Sequence, residues 1–174
     1  MNADPKLFES FQPVIGQAVS LRPLRPDDAA IELAFVTGLS EATRYNRLLG
    51  GAIRITDEYI RRLTEIDWSR EAALAAVTMI GGNESLIGVA RYVAAPGSRE
   101  CEFAIVLADA WQGRGIGRRL MEMLVSAARR HGMQRMVGEI LSTNQGMLHL
   151  VRRLGFKVAR LPNDATVLAA TLEL

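Results

Sequence analysis

The stretch WQGRGIGRRL, residues 111–120, places glycine at three alternate positions: Gly113, Gly115 and Gly117. A strand-like apolar run precedes these glycines and an apolar stripe of helical period follows them, so they stand where a helix begins. Backbone amides at the start of a helix have no partner within the helix, and the helix dipole adds positive potential there. Glycine lets an anion approach those amides closely. The stretch therefore favours a binding site for a phosphate or pyrophosphate.

Two common phosphate-binding motifs do not fit this stretch. The dinucleotide fingerprint GxGxxG would need a glycine at Leu120, and the P-loop would need Lys followed by Ser or Thr after the glycines. Considered by itself, the stretch could also be a turn that lets a strand and a helix pack closely. The anion site and the packing turn both stay open on these residues.

Composition predicts a soluble single domain. The chain has 174 residues, of which 49% are hydrophobic and 23% charged, which is enough for one well-buried core. No apolar run reaches the ~20 residues of a membrane span, and the N-terminus lacks a signal-peptide pattern. We therefore expect a cytoplasmic protein that binds neither membrane nor nucleic acid.

Metal chemistry is not expected, because Cys101 is the only cysteine and the sequence has two histidines. Cys101 is predicted to be a small buried strand residue. The formal net charge is +2, yet Lys6 and Lys157 are the only lysines among 21 basic residues. This arginine bias suits bidentate contacts with carboxylate or phosphate groups.

The elements that would position the glycines belong to an α/β fold. We predict a single domain over residues 1–174, with its core from about residue 18 and residues 1–17 as an N-terminal extension. Strand patterns occur at 18–25, 72–80, 86–94, 100–107 and 135–141, and begin again at Phe156 and Val167. Helix patterns begin at Pro26, Thr56, Ile116 and Asn144, and the polar residues 40–55 are taken as a connection.

The order of these elements predicts the arrangement of the sheet. Turn residues around Gly81 and Gly97 link three successive strands into an antiparallel meander. Residues 100–141 then follow the order strand, glycine loop, helix, strand, which makes two parallel strands. We therefore expect a mixed, mostly antiparallel sheet of about six to seven strands with about four helices.

Residues 112–117, QGRGIG, resemble the Q/R-x-x-G-x-G/A signature of the GNAT superfamily of acyl-CoA-dependent N-acyltransferases. The resemblance continues at Asn144 and at RLGF, residues 153–156, and the order of elements is similar over residues 18–174. A narrower resemblance, to the acetyltransferase domain of Pat-type protein lysine acetyltransferases, is carried by EATRYNR (41–47), RLTEIDWSRE (62–71) and EFAIVLADAWQGR (102–114). Many of those proteins also contain an acyl-CoA-synthetase-like region or a cyclic-nucleotide-binding domain, and no part of this sequence resembles either.

The resemblance implies a GNAT-like fold, with acetyl-CoA as co-substrate bound where the parallel strands splay apart. Loop amides would hold the pyrophosphate of coenzyme A, and strand residues would pair with its pantetheine arm. The implied contacts are Ile105, Val106, Leu107, Gln112, Gly113, Arg114, Gly115, Ile116, Gly117 and Arg118. Asn144 matches a position whose side chain often touches the coenzyme, although it is equally suited to cap a helix.

The implied reaction needs a base, because a lysine amine with a pKa of about 10.4 is protonated at neutral pH. Glu102 matches the place where related enzymes carry a catalytic glutamate, so we expect it to be that base. Strand alternation puts Glu100 on the same face, and two nearby carboxylates can raise each other's pKa. Both could also be plain solvent-facing residues, Glu100 especially.

Three functions remain open at this level. The first is acetylation of a protein lysine by direct attack on the thioester, the second is acetylation of a small amine or amino-acid derivative, and the third is non-catalytic sensing of acyl-CoA. Many superfamily members have a tyrosine where this chain has Val151, and its absence keeps the sensor open, whereas Glu102 favours an enzyme. Arg44, Tyr45 and Arg47 fall in the region that frames the acceptor in the superfamily. His149 is expected at the surface, and a homodimer stays open.

Overall fold

The computed structural model describes residues 7–14, 16–162 and 164–174. Within these ranges, eight strands form one sheet that is covered by five α-helices. The strands are β1 (Glu9–Val14), β2 (Gln17–Pro23), β3 (Glu71–Ile80), β4 (Asn83–Ala94), β5 (Glu100–Leu107), β6 (Arg135–Leu141), β7 (Lys157–Leu161) and β8 (Asp164–Glu173). The helices are α1 (Ala29–Gly38), α2 (Glu41–Arg47), α3 (Asp57–Thr64), α4 (Ile116–Arg130) and α5 (Gln145–Arg153). None of these helices has the length and apolar character needed to cross a bilayer.

The sheet is mixed and mostly antiparallel, as the sequence predicts. Its strand order is β1-β2-β3-β4-β5-β6-β8-β7, and the neighbouring strands are antiparallel except for β5 and β6. The crossover helix α4 joins this parallel pair. The predicted bounds of β5 and β6 and the predicted start of α4 are confirmed.

Two elements were not predicted, and they account for the larger numbers of strands and helices. β1 lies within the predicted N-terminal extension and pairs with β2 at one edge of the sheet. α2 lies in the stretch predicted as a connection, and Ser40 caps it by accepting a hydrogen bond from the Thr43 amide. The sequence of α2, EATRYNR, has no apolar stripe from which a helix could be recognised, and none of its residues is buried.

Small residues in β3 let helices pack on both faces of the sheet. Residues 71–77 read EAALAAV, and residues 72–76 have no exposed surface. α4 contributes Leu120 and Leu124 to the core on one face, and α1 contributes Phe35 to the core on the other. The neighbouring strands β4 and β5 also contribute residues to both cores, Ala90 and Phe103 on one face and Val89 and Val106 on the other.

The parallel strands β5 and β6 separate part of the way along their length. Their pairing runs from Glu100 opposite Arg135 to Glu102 opposite Val137 and then stops, although both strands continue. The ring of Phe103 lies against Gly138, where a Cβ atom would be 2.5 Å from ring atom Cε1. This ring also packs edge-on against Phe156, with the ring centroids 5.1 Å apart, so it occupies the space that a side chain at position 138 would need. The predicted splayed pair is thus confirmed, and the opening begins at Glu102.

Candidate active site

A cleft of about 690 Å³ follows the opening between β5 and β6. Ten of the twelve residues predicted for the site line it. They are Glu102, Ile105, Val106, Leu107, Gln112, Gly113, Gly115, Gly117, Arg118 and Asn144. Of the other two, Arg114 places its guanidinium over the Trp111 ring, 5.2 Å from the centroid, and the side chain of Ile116 is fully buried in the core. Neither Arg114 nor Ile116 therefore contributes a side chain to the wall of the cleft.

The three glycines of the loop are required for two different reasons. Gly113 and Gly115 have φ angles of 71° and 80°, in the left-handed region that favours glycine, and a Cβ atom at either would meet nothing within 4 Å. Gly117 has no such angle, but a Cβ atom there would lie 3.1 Å from Cδ1 of Leu107. Backbone direction thus explains the first two glycines, and close packing of α4 on β5 explains the third.

The N-terminus of α4 gives the cleft a positive end. Gly115 is the N-cap of this 15-residue helix, and the first turn carries no acidic residue. The dipole and the free amides of the first turn are therefore not neutralised by a side chain of that turn. Arg118 also lines the cleft and forms a 2.7 Å ion pair with Glu122. The next arginine, Arg119, is turned toward β1.

A polar cluster docks α2 beside the glycine loop. The carboxylate of Asp109 accepts hydrogen bonds from the hydroxyls of Ser40 and Thr43 at 2.8 and 2.9 Å, and these bonds lower the pKa of Asp109. Gln112 donates from Nε2 to the carbonyl of Leu107 at 3.1 Å. This predicted coenzyme residue therefore also fixes the loop to the end of β5. Docking of α2 brings Arg47 to the cleft.

The two carboxylates of β5 have different surroundings. Oε2 of Glu100 lies 3.4 Å from Nη1 of Arg135, which also binds Glu173 through Nε at 2.9 Å. Glu102 lines the cleft at the point where the strands diverge, whereas Glu100 does not line it. Cys101, between them, is buried as predicted. Glu102 is therefore the carboxylate of this pair that can reach a ligand in the cleft.

Helix α5 forms the opposite wall of the cleft. Asn144 caps this helix by accepting a hydrogen bond from the Met147 amide at 3.2 Å, and it also lines the cleft. His149 is exposed, as predicted, yet it and Arg153 line the cleft as well. Neither residue was predicted to belong to the site, although their spacing of four residues places them on one helix face. Val151 is completely buried and carries no group that could donate a proton.

A second cavity, of about 390 Å³, adjoins the cleft beneath α1, α2 and α3. The two spaces share Arg47, Ala104 and Val106 in their walls. Glu32 and Arg91 line the second cavity. Neither residue was predicted from the sequence to belong to a site. The signal available there was Arg91 itself, a charged residue inside the apolar run of β4.

The carboxylate of Glu32 is buried without a hydrogen-bond partner on one oxygen. Glu32 is 2% exposed, and its Oε2 has no hydrogen-bond partner among the described residues. Burial raises the pKa of Glu32 from the ordinary glutamate value of 4.5 to about 7, and the nearby Arg91 opposes part of this increase. Arg91 donates from Nη2 to the carbonyl of Leu63 at 2.8 Å, and burial lowers its pKa.

We expect Glu32→Gln to stabilise the protein at alkaline pH. Between pH 4.5 and about 7 the folded protein holds a proton that the unfolded chain has lost, so the wild type loses stability as the pH rises through this range. At about 1.4 kcal/mol per pH unit, the variant should gain up to about 3 kcal/mol relative to wild type between pH 5 and pH 8. Urea unfolding at both pH values measures this gain. Glu41→Gln, on exposed α2, is the control, and an equal effect of Glu32→Gln at both pH values would contradict the prediction.

A family model for the acetyltransferase (GNAT) domain matches residues 19–157. This match covers the splayed strands, the glycine loop and α5, which together form the cleft. The chain therefore belongs to the GNAT acetyltransferase family and is an acetyltransferase.

Individual relatives resemble the chain over most of its length. An acetyltransferase of Pseudomonas aeruginosa is 35% identical over 151 residues, which are 87% of this chain and 81% of that protein. The acetyltransferase Pat of Mycolicibacterium smegmatis is 30% identical over 80% of this chain but only 41% of its own length. The GNAT domain of S. lividans PAT superposes with a TM-score of 0.84 at 26% identity, covering 99% of this chain and 100% of that domain.

Proposed function

We propose that this protein transfers the acetyl group of acetyl-CoA to a primary amine, with Glu102 as the general base. The observation that carries this proposal is the position of Glu102 at the point where β5 and β6 part, at one end of a cleft whose other end is the glycine loop. A pyrophosphate on the amides of residues 113–118 and an extended arm along β5 would bring a thioester toward Glu102.

The chemistry then needs acceptors for two protons and a leaving group. The protonated acceptor amine gives its first proton to the Glu102 carboxylate, and its nitrogen then forms a C–N bond with the thioester carbonyl carbon. The C–S bond breaks, the sulfur leaves as the thiolate of coenzyme A, and the second proton of the nitrogen passes to this thiolate, which gives the amide and the free thiol. A thiol with a pKa near ~8.5 is a sufficiently good leaving group without a strong acid, which agrees with the apolar Val151 in α5.

For the acceptor, we propose a lysine on a protein surface as the first candidate. The likeness to the GNAT domain of S. lividans PAT over the whole chain supports it. Arg44 on exposed α2 adds positive charge beside the second cavity and would attract an acidic protein surface. A small amine is the second candidate, which the 390 Å³ cavity next to the cleft favours.

Incubation with labelled acetyl-CoA tests the activity and separates these acceptors. The acceptors are a cell lysate and, separately, a panel of amino acids and polyamines. We expect label to be transferred to amines in one of these, with an equal amount of coenzyme A released from acetyl-CoA. If label stays in acetyl-CoA with every acceptor although the protein binds it, the chain acts as an acyl-CoA sensor and not as the proposed enzyme.

We expect transfer to a protein lysine to depend on salt. Steering between charged surfaces is screened beyond about 8 Å at physiological ionic strength, so kcat/KM should fall as salt is added. Arg44→Glu should reduce kcat/KM for a protein acceptor without altering acetyl-CoA affinity. Arg160→Glu makes the same charge change on exposed β7, at the far edge of the sheet, and should have little effect. Equal effects of the two variants would remove the assigned role of Arg44.

A further inference from the structure

We propose that Glu32 and Arg91 form a subsite for a small zwitterionic acceptor, that is, an amine that also carries a carboxylate. Arg91 binds the carboxylate, and Oε2 of Glu32 accepts a hydrogen bond from a donor group of the same molecule. The inference rests on the proposed transfer of acetyl to an amine, and it develops the second candidate acceptor, a small amine, by specifying its chemical class.

The first support is the unsatisfied carboxylate. Buried charged groups in folded proteins are normally paired, because an unpartnered one retains its full desolvation cost. Oε2 of Glu32 receives no hydrogen bond from Arg91 or from any other described residue, yet Glu32 lines the cavity. A ligand that supplies an N–H or O–H donor in this cavity would satisfy it.

The second support is the balance of charge in the cavity. Among the residues that line this cavity, three are arginines, Arg44, Arg47 and Arg91, and two carry carboxylates, Glu32 and Glu41. The half-buried Glu71 interacts electrostatically with Arg91 but does not line the cavity. An excess of positive charge disfavours a polyamine and favours a molecule that has a carboxylate of its own, which a guanidinium can bind bidentately.

The third support is the distance to the proposed base. Arg91 is paired with Ala104 across β4 and β5, and Glu102 is two residues further along β5 on the same face. Two residues of a strand span about 7 Å. A carboxylate bound to Arg91 can therefore have its amine near Glu102 in a molecule no larger than an amino acid, through the wall that the cavity and the cleft share at Ala104.

The test compares matched acceptors on the intact protein. Each standard amino acid is assayed for release of coenzyme A from acetyl-CoA, and the best is compared with its amide and with the amine that lacks the carboxylate. We expect kcat/KM to be roughly 10- to 100-fold higher for the free amino acid than for either analogue. Calorimetric titration of the same three compounds measures binding independently of turnover.

Variants locate the preference within the subsite. Arg91→Gln should abolish the difference between the amino acid and its amide while leaving acetyl-CoA affinity unchanged, and Arg91→Lys should retain part of it. Glu32→Gln should weaken binding of the amino acid, whereas Glu65→Gln, at an exposed position that lines neither cavity, should behave like wild type.

The outcomes distinguish the subsite from the activity. The subsite is wrong if amines are acetylated equally well with and without a carboxylate, or if protein lysines are labelled and amino acids do not bind. Either result leaves the proposed activity standing. Binding of the amino acid without acetylation supports the subsite and removes the proposed activity. If Arg91→Gln does not fold, the comparison of acid, amide and amine on the wild-type protein still decides the inference.

Discussion

Glu102→Gln should lower kcat by roughly 10²- to 10⁴-fold, the range expected when a general base is removed. The amide has nearly the same size as the carboxylate but cannot take a proton from the attacking amine. Because Glu102 stands at the end of the cleft away from the glycine loop, the affinity for acetyl-CoA should barely change. Steady-state kinetics with a saturating acceptor, together with calorimetric titration of acetyl-CoA, measures the two quantities separately.

Two other glutamates provide matched controls for this result. Glu100→Gln removes a carboxylate that faces Arg135 outside the cleft, and Glu139→Gln removes one that lines the cleft from β6. Both variants should keep kcat close to wild type. A large loss of kcat in Glu100→Gln or Glu139→Gln, with little loss in Glu102→Gln, would show that Glu102 is not the general base.

Gly117→Glu should weaken acetyl-CoA binding by about 100-fold or more. The new side chain begins in the wall of the cleft, where a Cβ atom already lies 3.1 Å from Leu107, and its charge would face the anion expected at the start of α4. Placing like charges together costs several kcal/mol, and about 1.4 kcal/mol corresponds to a tenfold change in affinity. Calorimetric titration of the folded variant with acetyl-CoA gives the value.

Gly117→Gln separates the effect of charge from that of bulk. It adds nearly the same volume as Gly117→Glu without the negative charge, and Gly117→Ala adds only the Cβ atom. We expect affinity to decrease in the order Ala, Gln, Glu. If Gly117→Glu binds acetyl-CoA as tightly as wild type, the pyrophosphate site does not lie at the start of α4.

The sequence by itself determined the unit that builds the cleft. The bounds of β5 and β6, the start of α4 and the N-cap at Asn144 agree with the structure. These features are local, because strand alternation, helical periodicity and capping depend on residues a few positions apart. The same local rules placed Glu102 and the glycine loop on one continuous segment, so their placement along the same cleft needed little tertiary information.

Only the tertiary structure decided which neighbours surround that unit. α2 has no apolar stripe, and it is placed by hydrogen bonds from Ser40 and Thr43 to Asp109, which lies more than 60 residues away in the chain. Arg91 looked like an isolated charge in a strand, and nothing in the sequence connected it with Glu32. Glu32 is buried because α1 packs against the sheet, and its Oε2 is unpaired because this packing brings no hydrogen-bond donor to it. The environment of a polar side chain depends on contacts between distant segments, whereas its helix or strand depends on its immediate neighbours.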